Sequence, residues 1–89
     1  MTSRATSEFW NLYWALPDNL RNAARAAHQK FRQNPAHPSL QLERLRSDAR
    51  FWSVRVTRNY RAVAQRFDGD VWLWVWIGSH KDFERQFPA

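Results

Sequence analysis

The chain has no cysteine, two glycines, four prolines and one methionine in 89 residues, and each shortage closes off a class of protein. Without cysteine there is no disulfide framework and no thiolate metal cage, so the fold must rest on packing, for which six Trp and six Phe supply large apolar side chains. Two glycines cannot build a Gly-rich phosphate loop, and so little Gly and Pro excludes collagen-like, linker-like and disordered chains. No apolar run approaches the roughly 20 residues of a membrane helix. Met1 to Glu8 lacks the apolar core of a signal peptide. The chain therefore reads as soluble, unexported and without a membrane partner. At this length one hydrophobic core is what the surface-to-volume balance allows, so residues 1–89 are expected to form a single domain.

Lysine is also scarce. Twelve of the fourteen basic residues are arginine, and the formal net charge is +6. The planar guanidinium fork suits phosphate and carboxylate better than a flexible ammonium does. The excess is localised: between residues 41 and 66, Arg44, Arg46, Arg50, Arg55, Arg58, Arg61 and Arg66 face only Glu43 and Asp48. Such a footprint points to nucleic acid or an acidic protein partner, with a solvated surface that keeps a Trp-rich protein soluble as the plainer alternative.

Along the chain, Ser7-Glu8 opens a helical pattern as an N-cap candidate and a first-turn acid, followed by Phe9, Leu12, Tyr13 and Leu16 at helical spacing up to Pro17. A second stripe, Leu20, Ala24, Ala27 and Phe31, runs to Asn34-Pro35 and completes an αα-hairpin. Asn34 to Ser39 carries two prolines and reads as an extended connection with nothing regular in it. Leu40 to Leu45 reads as a short edge strand or an irregular leg. From Phe51 the period changes to two. Phe51–Thr57 places Trp52, Val54 and Val56 on one face and Ser53, Arg55 and Thr57 on the other. Arg58-Asn59 turns the chain into Tyr60–Phe67, and Asp68-Gly69-Asp70 turns it again into Val71–Ile77. That last strand has no charge on either face, so it is expected to lie inside the sheet with Trp72, Trp74 and Trp76 in one row. Gly78 marks its end, and Ser79 to Ala89 reads as a short tail. The predicted class is α+β, an N-terminal helical hairpin on an antiparallel sheet of three to four strands.

The run Leu16-Pro17, Asn34 to Leu40, Phe51 to Val56, Tyr60-Arg61-Ala62-Val63-Ala64 and Trp76-Ile77-Gly78-Ser79-His80-Lys81-Asp82-Phe83 resembles the RelE/ParE superfamily of type II toxin–antitoxin toxins. The Tyr-Arg step and the Gly-Ser-His ending are the more specific marks. The family begins with a full strand, whereas only Thr2 to Thr6 is available here, so that strand must be short, at the sheet edge or missing. The resemblance implies a cytoplasmic toxin with a cognate antitoxin as partner. It also implies one of two activities. RelE-like and YoeB-like members are metal-independent endoribonucleases that cut mRNA, typically on the ribosome, and ParE-like members share the fold and poison DNA gyrase without catalysis. A relic that only binds its antitoxin is a further reading.

Ribonuclease chemistry needs a base for the ribose 2′-hydroxyl, cations for the phosphorane and an acid for the leaving 5′-oxygen. By the resemblance, Arg61 is the phosphate-binding arginine of the Tyr-Arg motif, Arg55 is a second basic residue on the facing strand, Glu43 lies near a general-base carboxylate, and His80 matches the C-terminal histidine of YoeB-like and HigB-like members. Imidazole titrates near neutrality, which suits proton transfer. The plainer readings are sheet-face ion pairs for Arg61 and Arg55 and a surface carboxylate for Glu43. Arg44, Arg46 and Arg58 are candidates for RNA backbone contacts, and Phe83, in place of a tyrosine common near the nuclease site, for base stacking. Ser53 stands where RelE has a lysine. His28 reads as packing or surface and His37 as loop-stabilising. A Ser79-His80-Asp82 relay fails because residues so close on one segment cannot align as a triad. No metal and no cofactor are expected: there is no histidine pair at helical spacing, and His80 with Asp82 alone is short of a site.

Overall fold

The computed structural model describes residues 1–88. In chain order the elements are β1 (Thr2–Ala5), α1 (Ser7–Trp14), α2 (Asp18–Gln33), a 3-10 turn (Pro38–Leu40), β2 (Glu43–Arg44), β3 (Phe51–Thr57), β4 (Tyr60–Phe67), β5 (Val71–Ser79) and α3 (His80–Gln86). The strands form one five-stranded sheet in the order β1-β5-β4-β3-β2. The sheet is mixed rather than purely antiparallel, because β1 joins the edge parallel to β5. The short first strand is thus present, at the sheet edge, and it places β5 between two neighbours.

Thr6 caps α1, its Oγ1 accepting from the Phe9 amide at 3.1 Å, so the cap falls one residue before Ser7. Pro17 has φ −61° and caps α2, where its missing N–H costs nothing. The two-proline connection holds one regular piece: Pro38 starts the 3-10 turn, and the His37 ring accepts from the Ser39 amide at 3.2 Å. The β4–β5 turn is left-handed at Gly69 (φ 79°) and Asp70 (φ 59°), as a tight hairpin requires.

The hairpin of α1 and α2 covers one face of the sheet. Phe31 of α2 packs edge-on against Trp72 and Trp74, with ring centroids 5.0 and 5.2 Å away. Val54, Ala62, Ala64 and Ile77 complete that core. The opposite face carries α3. The segment after Gly78 is therefore no tail: Ser79 Oγ accepts from the Asp82 amide at 3.1 Å and caps a seven-residue helix. Nor do the tryptophans of β5 form one row. Ala62 pairs with Ile77, Val63 with Trp76 and Ala64 with Trp74, which leaves Val75 as the extra residue of a β-bulge. The bulge keeps Trp74 and Ile77 in the core and turns Trp76 to the α3 side, where it packs on Phe83 and Phe87 at 6.2 and 5.6 Å.

Candidate functional site

The face turned away from the helical hairpin is built by register. Strand alternation and pairing set Glu43 of β2, Ser53 of β3, Val63 of β4 and Trp76 of β5 in one row across the sheet. Two residues along, Arg55, Arg61 and Gly78 form a second row. At roughly 3.3 Å per residue the rows lie about 7 Å apart. Ser53 and Val63 are buried, and the longer side chains stand around them.

Arg61 is the centre of this face. Burial first, and then the neighbouring Arg55 guanidinium, push Arg61 below its ordinary range, while Glu43 pulls the other way. A guanidinium stays protonated under any such shift at neutral pH. Its Nη1 is buried with no hydrogen-bond partner among the described residues. A half-buried cation with one unpartnered donor beside a second cation is unfavourable to the fold unless an anion completes it. Strands β3 and β4 thus bring two arginines side by side, and β2 adds a carboxylate within electrostatic reach.

His80 begins α3 at the end of β5, where Ser79 pairs with Tyr60 beside Arg61. Its amide donates to Asn59 O at 2.6 Å, which ties the helix start to the β3–β4 turn. The ring Nε2 lies 2.8 Å from Glu84 Oε1 one helical turn on. Sequence reading did not find Glu84, although i,i+4 spacing on a helix would reveal it once α3 is recognised.

The other candidates lie elsewhere. Arg44 stacks over the Trp52 ring at 4.8 Å, on the hairpin side of the sheet. Arg46 is exposed beyond β2, and Arg58 is exposed in the β3–β4 turn. Phe83 is half-buried, with its ring 6.1 Å from that of His80. No helix of the described residues is long and apolar enough to cross a membrane, and no three His, Asp or Glu side chains among them cluster as metal ligands.

The same architecture occurs in solved structures. The YoeB/ParE toxin from Agrobacterium tumefaciens superposes with a TM-score of 0.71 at 22% identity, over 90% of this chain and 99% of that one. A chain of the RelB–RelE antitoxin–toxin complex from Methanococcus jannaschii gives 0.69 at 17% identity, over 96% and 99%. YafQ from E. coli gives 0.74 at 10% identity, over 91% and 94%. No protein of curated function matches the sequence closely enough to count as a relative. The sequence profile of the ParE-like toxin domain matches residues 18–85, from the start of α2 through the last turn of α3. The chain belongs to the ParE-like toxin domain family, within the RelE/ParE superfamily of toxins.

Proposed function

We propose that this protein is the toxin of a toxin–antitoxin pair and acts in the cytoplasm as an endoribonuclease on mRNA, on the ribosome or free. The observation that carries the reading is the buried, unpartnered Nη1 of Arg61 beside Arg55. A non-bridging phosphate oxygen is the partner that such a donor lacks, and the two forks together oppose the charge that a phosphorane adds. Glu43, across the face, takes the proton of the ribose 2′-hydroxyl. The 2′-oxygen then attacks phosphorus, the bond to the 5′-oxygen breaks, and His80 delivers a proton to that leaving oxygen. Glu84 holds His80 Nε2, which leaves Nδ1 for the transfer. The products end in 2′,3′-cyclic phosphate and 5′-hydroxyl. Arg46 and Arg58 serve the flanking backbone. The antitoxin partner follows from the family and from neighbours solved as complexes, the M. jannaschii RelB–RelE pair and RelBE2 of Mycobacterium tuberculosis.

A second reading is gyrase inhibition without catalysis. The matching profile is the ParE-like one, and Phe83 offers no hydroxyl beside His80. One experiment separates the two: cell-free translation of a defined mRNA with the added protein, mapped by primer extension, beside a gyrase supercoiling assay. Discrete cuts support the nuclease. Blocked supercoiling with intact mRNA supports the gyrase reading.

A further inference from the structure

Arg44, which the RNA face leaves out, belongs to a second basic cluster toward the other end of the sheet. It pairs with Trp52 across β2 and β3, and its guanidinium lies 4.8 Å from that ring. Arg66, two residues beyond the Ala64 that pairs with Trp52, holds its guanidinium 6.0 Å from the same ring and 5.1 Å from that of Trp72. An odd number of residues separates Arg66 from Arg61 on β4, so the two point to opposite faces, about 16 Å apart along the strand. Guanidiniums stacked on indoles are held by their faces, which leaves their N–H edges for a ligand. Arg44, Trp52 and Arg66 border an open, chiefly polar cavity of about 370 Å³, which the β4–β5 turn lines through Asp68 and Asp70. Some of the charges there are already engaged. Arg50, on the same walls, gives Nη2 to Asp48 at 2.6 Å. Asp70 accepts from Trp72 Nε1 at 3.0 Å and faces the N-terminal ammonium at 3.8 Å. It stands 3.9 Å from Arg66 Nη2, too far for a hydrogen bond. Among the described residues, the guanidiniums of Arg44 and Arg66 make no hydrogen bond, and the Asp68 carboxylate makes neither a hydrogen bond nor an ion pair.

We propose that this cavity binds a nucleotide unit, with its phosphate on the forks of Arg44 and Arg66 and its ribose or base donors on Asp68. Two forks can share one phosphate through its non-bridging oxygens, the geometry for which the guanidinium is suited. The free carboxylate decides between kinds of anion. An acidic peptide sets further carboxylates against Asp68, whereas a nucleotide carries hydroxyl and amino donors beside its phosphate. The volume falls within the roughly 300–1,000 Å³ of small-molecule sites. A free nucleotide and one residue of an RNA strand offer the same chemistry, and the two sources are separated by experiment. The cluster shares no residue with the face of Arg55 and Arg61, so it stands or falls separately from the nuclease reading.

The test is titration of the folded, ¹⁵N-labelled chain with adenosine 5′-monophosphate, adenosine, a 2′-O-methyl hexanucleotide that cannot be cleaved, and a hexaglutamate peptide, followed by the Trp52 indole N–H resonance. The expected result is a shift of that resonance and binding of the monophosphate at least about tenfold tighter than adenosine, the factor that charge-assisted hydrogen bonds supply. Tighter binding of the hexanucleotide supports an RNA strand as the occupant, and tighter binding of the monophosphate supports a free nucleotide. Arg44→Gln combined with Arg66→Gln should remove the preference for the phosphorylated probe, and Asp68→Ala should weaken the monophosphate. No shift with either nucleotide probe, equal affinity for adenosine and its monophosphate, tighter binding of hexaglutamate, or undiminished affinity in the folded double variant would overturn the proposal. If the double variant does not fold, Asp68→Ala carries the test, and parental affinity for the monophosphate there overturns it.

Discussion

The indole of Trp76 occupies the place that a side chain on Gly78 would take. A Cβ at Gly78 would stand 2.6 Å from Cζ2 and 2.8 Å from Cη2 of Trp76, closer than real Cβ contacts come. Gly78 pairs with Arg61, so the residue that makes room for Trp76 also borders the half-buried arginine. This ties the docking of α3, through Phe83 and Phe87, to the face that holds Arg55 and Arg61.

Gly78→Ala should therefore displace Trp76 and loosen α3, lowering stability by about 1–3 kcal/mol, the usual effect of overpacking. Chemical denaturation measures it. The same substitution in a Trp76→Leu background should cost much less, and an unreduced effect there would mean that the clash lies with some other group.

Ser79→Ala removes the oxygen that caps α3. Loss of such a cap costs about 1 kcal/mol, and on a seven-residue helix it should fray the first turn that carries His80. Hydrogen exchange of the Asp82 and Phe83 amides should rise, while that of α2 should not.

If His80 moves a proton in RNA cleavage, His80→Gln should lower the cleavage rate by about 100-fold or more while leaving the melting temperature unchanged. Glu84→Gln should lower it less, since Glu84 Oε1 only orients the ring through Nε2. Equal rates for parent and His80→Gln would remove His80 from the mechanism.

Burial first, then Arg32, lowers the proton affinity of His28 in the folded chain from its ordinary value of 6.5. The unfolded chain then binds more protons below that value, so this contribution is complete above pH 6.5 and declines as the pH falls toward the folded-state value. Melting temperature should drop between pH 7.5 and 5.5, and the drop should be smaller in His28→Leu. Equal drops would show that other groups govern the acid side.

Much of this architecture is legible in the sequence, because periods of 3.6 and 2 report the hairpin helices and β3 to β5 directly. Three features are not. The bulge at Val75 slips the pattern inside Val71–Ile77, where every residue is apolar and no polar position marks which face is which. The last helix has Ser79 three residues before Asp82, the spacing of a cap, but only Phe83 and Phe87 as an apolar stripe, and so short a segment gives no periodicity. The grouping of Glu43, Arg55 and Arg61 follows from alternation once the registers are known. The placement of Arg44 on the other side of the sheet depends on which residue of β2 pairs with Ser53, and a two-residue strand carries no pattern from which to read that.

If half-buried Arg61, with its unpartnered Nη1, takes the phosphate of RNA, then cleavage by Arg61→Ala measured beside its thermal melt reveals it. The expected result is at least a tenfold loss of rate, on the order of 2–4 kcal/mol for one transition-state donor, with a melting temperature unchanged or raised because a half-buried cation beside Arg55 is gone. A variant that cuts mRNA at the parental rate, or one that fails to fold, would contradict it and make Arg61 a structural residue.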